Sequence, residues 1–328
     1  MMSAFAETPV VESGLDYVRT IPRNLVHKRR IDNVFVTSMQ RLSALEFACG
    51  AYVPQANLYL NELRFHPNDV LLPLIEIGRQ AGIACCHSYL NVAQGQHFVL
   101  GTMGVDTEPS LYELDWSECD YVDVHICVSD VRYNPDGSFK SGTAESTFYV
   151  DGRQIYRQFS HSAVLTKKRY RALRRGARQH TSNVAAIGAV PLANALEIST
   201  RPRLARSVLG ERRWLGIDGR IAANLAIDLN NLFFFDHPND HAPGMLLLEG
   251  MRQLAMEVAG GLPGVTAPYP KIQHLDLSFT HFAELDRPVG IVAETVVADD
   301  QAAVGTQRLQ LKATQGDRTC AEASFVVA

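Results

Sequence analysis

Apolar and polar residues alternate along much of this chain, and two stretches replace that alternation with helical spacing. Tyr121–Val131 (YVDVHICVSDV) alternates with period two, the pattern of a strand with one buried face. Pro135, Asp136 and Gly137 supply a turn after it, and Asp151-Gly152 joins Ser146–Val150 to Gln154–Leu165 as a hairpin signal. Farther on, His274–Phe282, Val289–Val297, Thr306–Leu311 and Ala321–Val327 alternate in the same way, and Asn33–Val36 and Ile221–Phe235 read as strands ahead of the helices. Leu71, Leu72, Ile75, Ile83 and Ala84 give the first helix its apolar face, and Leu246, Leu247, Met251 and Leu254 the second, with ends near Tyr89 and Ala259. Asp69 can cap the first helix, which carries Pro73 early, and Pro243 suits the first turn of the second, where its missing N–H costs nothing.

The two helices are copies of one motif. HPNDVLLPLIEIGRQ begins at His66 and HPNDHAPGMLLLEGMRQ at His237; both join HPND to an apolar run and E-x-x-R-Q. The offset is 171 residues at the histidines and 173 at the glutamates, the second copy being two residues longer. A match at both ends of a similar run marks two homologous halves. Each half reads strand, helix, then several antiparallel strands: one long helix wrapped by a sheet, an α+β tandem hot-dog. The predicted boundaries are a first repeat over 20–180, a linker over 181–205 and a second repeat over 206–328.

Composition narrows the classes. The net charge of −4 lacks the basic excess of a nucleic-acid binder. None of the six cysteines forms a CxxC pair, and no metal site or cofactor is predicted. The N-terminal residues lack a signal-peptide pattern and no apolar run is long enough to span a bilayer, so a cytoplasmic protein with no membrane partner is expected. Gly-rich phosphate loops, GxSxG and dinucleotide-binding fingerprints are absent from the sequence.

Asp236 to Gly244 (DHPNDHAPG) with Glu249 resembles the hot-dog dehydratases of fatty-acid synthesis, in which a histidine precedes Pro-Gly at the helix start and an acid follows on the helix. His237 lies two residues too close to Glu249 for that pattern. The fuller motif, with LVHKRR…VFVTS over Leu25–Ser38, is similar to the A-factor biosynthesis (AfsA) family over both repeats, although the first repeat has Val70 in the place of Pro243. The resemblance implies an acyltransferase. It would move a β-ketoacyl group from acyl carrier protein to the hydroxyl of dihydroxyacetone phosphate, the first step toward γ-butyrolactone or butenolide signals. The alternatives are a hot-dog dehydratase or thioesterase on a carrier-bound acyl chain, and a non-catalytic acyl-lactone sensor. A tandem repeat already contains its pseudo-dimer, so monomer and homodimer both fit.

Acyl transfer to an alcohol needs a base, donors for the oxyanion and a cation for the phosphate. Glu76 and Glu249 are the candidate bases, with burial expected to raise them into a useful range. Arg79 and Arg252, three residues on, can hold a phosphate. By analogy with hot-dog dimers, whose sites draw on both partners, Glu76 is paired with Arg252 and Glu249 with Arg79; a structural Glu–Arg pair in each half is the other reading. His237 is a candidate acid–base group; Asp240, His241, Gln80, Gln253 and Gly244 are candidate substrate contacts, Gly244 by letting a ligand approach the helix N-terminus. Asp236 and Asp240 fix the histidines, or cap the helix and tie a loop. The basic run Lys167–Arg178, including Arg174 and Arg175, is either a docking face for acidic carrier protein or a solvated connector. His27, Lys28, Arg29 and Arg30 lie near the phosphate or on a solvated strand edge.

Overall fold

A computed structural model of the protein describes residues 14–55, 57, 59, 67–182, 207–215, 220–260, 270–298 and 306–328. Its first half runs β1 (Val36–Arg41), β2 (Glu46–Tyr52), α1 (Pro67–Tyr89), β3 (His97–Thr107), β4 (Tyr121–Tyr133), β5 (Phe139–Val150) and β6 (Arg153–Leu165). Helix α2 (Lys167–Ser182) follows, and then β7 (Leu209–Leu215), β8 (Arg220–Leu225), α3 (Gly244–Gly260), β9 (Ile272–Phe279), β10 (Gly290–Ala298), β11 (Gln307–Gln315) and β12 (Arg318–Val327).

All twelve strands form one antiparallel sheet in the order β1-β2-β4-β5-β6-β3-β9-β12-β11-β10-β8-β7. Read outward from the β3–β9 seam, the order of one half repeats in the other, which is the expected duplication as geometry. Thr102 pairs with Ser278, Gly104 with Asp276 and Asp106 with His274 across the seam. Alternation does what the pattern requires: Val122, Val124 and Ile126 of β4 and Leu309, Leu311 and Ala313 of β11 are buried against the helices. Both helices are enclosed on nearly every side, Leu71, Leu72, Leu74, Ile75 and Ile77 included, because the sheet curls around them. This is the tandem hot-dog.

The Asp151-Gly152 hairpin forms with both residues at positive φ (50° and 75°), as a tight turn between twisted strands requires. Two predicted strands are corrected. The run expected from Ile221 to Phe235 stops at Leu225; the Asp228 side chain accepts from the Asn230 N–H and that of Asn231 from the Phe233 N–H, so local Asx turns displace the ladder. Of the run from Asn33 to Val36, Asn33 closes a tight turn over Ile31–Asn33 and only Val36 enters the ladder, as the first residue of β1. Strands β2, β3 and β7 were not expected. The basic run forms helix α2, and most of the expected linker lies outside the described residues.

Candidate active site

Spacings of three and four place Glu76, Arg79 and Gln80 on one stripe of α1, and Glu249, Arg252 and Gln253 on the matching stripe of α3. Glu76 and Glu249 are buried, 2% and 0% exposed. A lone carboxylate there would cost several kcal/mol, and the helix supplies its counter-ion. Arg79 donates through Nε and Nη2 to both Glu76 oxygens at 2.7 and 2.8 Å. Arg252 does the same to Glu249 at 2.7 and 2.8 Å. The expected cross-half pairing of Glu76 with Arg252 and Glu249 with Arg79 is therefore corrected: each guanidinium closes on its own helix, where the partner is three residues away.

Gln80 and Gln253 serve the backbone. Gln80 donates to Glu76 Oε1 and to the Asn33 carbonyl and accepts from the Phe35 N–H at 2.8 Å. Gln253 donates to Glu249 Oε1 and accepts from the Val208 N–H at 3.0 Å. In each half the glutamine hooks the segment leading into the sheet onto the central helix, which explains its place in the repeated motif better than a ligand contact does.

The halves differ beyond this shared core. Arg252 spends Nη1 on Asp69, 3.0 Å away, and on the Asn68 carbonyl at 3.3 Å, and its side chain is 6% exposed. Asp69, expected as a cap, lies in the first turn of α1, and its carboxylate goes to this arginine. Arg79 is 31% exposed, and among the described residues its Nη1 meets no acceptor. Glu76 accepts instead from a second cation, Lys28 Nζ at 2.9 Å, whose side chain is 7% exposed. Burial pushes the Glu76 carboxyl up, but Arg79 and Lys28 outweigh it and hold it well below the usual carboxylate range. The expectation of a carboxyl raised toward neutrality fails for Glu76, because its desolvation is more than compensated by two cations.

Lys28 reaches Glu76 because Asp236, from the second half, holds the loop that carries it. Asp236 accepts from the Arg29 N–H at 2.5 Å, the Arg30 N–H at 3.1 Å and Asn33 Nδ2 at 3.0 Å. Its burial is offset by His237, these donors and Lys28, so the carboxyl is held low. His237 follows, 3.5 Å from Asp236 and 48% exposed. The α1 site thus gathers Glu76, Arg79, Lys28, Asp236 and His237 from both repeats, with two cations sharing the Glu76 carboxylate. The His-Lys-Arg-Arg run was the sequence signal for Lys28; nothing in the sequence revealed that Asp236 anchors it.

Three other candidates lie elsewhere. Asp240 accepts from Arg174 Nε at 2.9 Å and Tyr170 Oη at 3.1 Å, and lies 2.8 Å from His241 Nδ1; these residues fasten α2 to the second half. Arg174, 4% exposed, also donates to both oxygens of buried Glu284 at 2.8 and 2.7 Å and lies over Phe282, so it is no part of a docking face. Among the described side chains of α2, the exposed basic ones are Lys167, Lys168, Arg169, Arg171 and Arg175. At Gly244 a Cβ would lie 2.9 Å from the Phe279 ring; the glycine admits that ring rather than a ligand. A groove of about 480 Å³ crosses the β3–β9 seam beside Thr102, Gly104, Asp276 and Ser278. It borders neither glutamate and opens on the sheet face turned away from the helices.

Comparison with known proteins agrees with the two-part fold. The chain is 28% identical over 303 residues to a 2-oxo-3-(phosphooxy)propyl 3-oxoalkanoate synthase of Streptomyces virginiae, covering 92% of this chain and 95% of that protein. It is 27% identical over 290 residues to a synthase of the same name from Streptomyces coelicolor, covering 88% and 86%. A crystal structure assigned as an oleoyl thioesterase of Lactobacillus plantarum shares the fold, with a TM-score of 0.50 at 14% identity over 87% of this chain and 97% of that one. The model of the A-factor biosynthesis hotdog domain matches residues 12–158 and 210–328, one segment for each half of the sheet, and the chain belongs to the AfsA family.

Proposed function

We propose that this protein is an acyltransferase that joins a 3-oxoacyl group, carried as a thioester on acyl carrier protein, to the free hydroxyl of dihydroxyacetone phosphate, and that the reaction runs at the α1 site. The product is a 2-oxo-3-(phosphooxy)propyl 3-oxoalkanoate, the compound for which the Streptomyces relatives are named. One observation carries the choice of site. Among the described residues Arg79 keeps a guanidinium edge open beside Lys28, whereas Asp69 fills the same edge of Arg252. A phosphate dianion is a bidentate acceptor that suits an arginine fork, and Arg79 and Lys28 bring two cations to one place for it. In this reading Glu76 orients the two cations and is not a base, and His237, half exposed beside Asp236, lies at the solvent side of the site. The repeats span 20–180 and 206–328, and the enzyme acts in the cytoplasm as a monomer or homodimer.

The exposed basic face of α2 is the proposed landing place for acidic carrier protein, so R171E/R175E raises KM for the carrier-bound substrate and leaves KM for dihydroxyacetone phosphate unchanged. The primary test incubates a 3-oxoacyl thioester with the protein, with and without dihydroxyacetone phosphate, and reads product mass. Ester formed only with the acceptor supports the proposal; free acid formed at the same rate in both replaces it with a thioesterase. In R79A, loss of charge-assisted hydrogen bonds to phosphate raises KM for the acceptor by roughly 10–100-fold.

A further inference from the structure

Next to Lys28 stands an imidazole with a lone pair that no donor meets among the described residues. His27 ends the short turn Arg23–Val26 in the left-handed conformation, φ 56°, which sets its ring against α1 beside Lys28. Its Nε2 is 2.7 Å from Nε2 of His87, about three helical turns beyond Glu76 on the same stripe. His87 Nδ1 is 2.8 Å from the Val92 carbonyl.

A carbonyl only accepts, so His87 carries its proton on Nδ1 and offers a lone pair at Nε2. His27 must then donate through Nε2–H, and its own lone pair stands on Nδ1. Among the described residues no donor meets that atom. Phe98 packs edge-on against both rings, centroids 5.4 and 5.5 Å away, and fixes their planes. Burial first, then His87, Arg79, His237 and His97, push the His27 imidazolium down to about 4, so the ring is neutral at physiological pH. The carboxylates of the site are taken, Glu76 by Arg79, Lys28 and Gln80 and Asp236 by two backbone N–H groups and Asn33; the site's other imidazole, His237, is 48% exposed with Nδ1 3.5 Å from Asp236.

We infer that His27 is the general base of the transfer, taking the acceptor hydroxyl proton on Nδ1, and that His87 is a positioning residue that holds the reactive tautomer. This rests on the α1 site being where the acceptor binds. As the proton moves to Nδ1, the hydroxyl oxygen bonds to the thioester carbon and the carbonyl electrons pass to its oxygen. When that intermediate collapses, the C–O double bond re-forms, the C–S bond breaks, and the imidazolium returns its proton to the departing thiolate. A bound phosphate dianion raises the basicity of His27 at the moment it is needed, by partly cancelling the field of Arg79 and Lys28.

The test measures steady-state ester formation by wild type, H27Q, H27A and H87Q across pH, alongside the thermal shift each shows with dihydroxyacetone phosphate. The expected result is a kcat lowered on the order of 10²–10⁴-fold in H27Q, an acceptor-induced thermal shift like that of wild type, and partial rescue of H27A by added imidazole. In H87Q the acid limb of kcat/KM moves to higher pH, because one of the groups that lowers His27 has gone. Burial, His87, Arg79, His237 and His97 set that limb, and of these charged groups only His87 is altered. H27Q with more than a third of wild-type kcat overturns the assignment, as does H87Q with an unmoved pH profile. Should H27Q not fold, H87Q and imidazole rescue of H27A carry the decision. Loss of the acceptor-induced shift in R79A, with His27 intact, tests the site itself; a wild-type shift that R79A retains refutes the site and not the base.

Discussion

Arg79 and Arg252 occupy the same place in the repeated motif, yet their surroundings assign them different work, and alanine at each position tests this. Removing Arg252 leaves Glu249, 0% exposed, with Gln253 as the hydrogen-bond donor among the partners described above, and leaves Asp69 without the guanidinium 3.0 Å away. Taking one partner from a buried pair costs about 3–5 kcal/mol. Removing Arg79 leaves Glu76 still bonded to Lys28 at 2.9 Å and to Gln80 at 2.9 Å, and Arg79 was partly in water, so about 1–2 kcal/mol is expected. At roughly 2–4 °C per kcal/mol for a mid-sized domain, R252A lowers Tm on the order of 10 °C and R79A by only a few degrees. Calorimetry with urea denaturation reads both. The kinetics invert the order: below its transition R252A keeps kcat and KM within about threefold of wild type, whereas R79A loses acceptor affinity. An E249L/R252M double variant, which removes the charge with its partner, is more stable than R252M alone. Equal Tm losses for R79A and R252A, or a double variant no better than the single, would refute the reasoning.

Three further outcomes are expected. R174A strips the counter-ion from Glu284 and costs about 3 kcal/mol, whereas R175A on the exposed side of α2 stays within about 0.5 kcal/mol, both read by urea denaturation. G250A places a Cβ 2.5 Å from Ile291 Cδ1 and 2.7 Å from Leu225 Cδ1, and overpacking of this helix–sheet contact costs about 1–3 kcal/mol in the same assay. His274 bridges Asp106 and Asp276 at 2.7 and 2.8 Å across the β3–β9 seam; although burial opposes it, the two carboxylates raise its pKa. A raised histidine stabilises fully below its unfolded value near 6.5 and loses that contribution as pH climbs through the folded value, so H274Q costs more at pH 5.5 than at pH 9 in urea titrations.

What the sequence disclosed follows the range of the forces involved. The two central helices were legible because their cues are local: an apolar stripe, a proline at the start and a repeated E-x-x-R-Q. The hairpin at Asp151-Gly152 was legible because the turn demands positive φ. Strand β3 was not, since HFVLGTMGVDT carries two glycines and its role comes from pairing with β9, some 170 residues away. The apolar run Leu232–Phe235 reads as strand, but Asp228 and Asn231 bind the nearby backbone first and leave Phe233, Phe234 and Phe235 as buried anchors outside the sheet. In the candidate site, spacing put Glu76, Arg79 and Gln80 on one stripe but gave the wrong partners: a guanidinium three residues along the same helix needs no chain closure to meet its carboxylate, and analogy with two-chain hot-dogs obscured this. The contacts of Arg174 with Asp240 and Glu284 span 66 and 110 residues, so nothing local distinguishes it from its exposed neighbours.

The β3–β9 seam also explains why two copies of one motif have diverged. In a dimer of single repeats the two sites are encoded once, and any change that closes one closes both. With both repeats in one chain, each site can change alone. Here the second repeat lends Asp236 and His237 to the α1 site, while the first repeat lends Asp69 to Arg252. Asp69 supplies in the second site the anion that a substrate phosphate supplies in the first under the proposed reaction, and it does so permanently. Arg252 is thereby closed off by a carboxylate of the chain itself, whereas among the described residues Arg79 keeps an edge that no acceptor meets, beside Lys28 on the same Glu76 carboxylate.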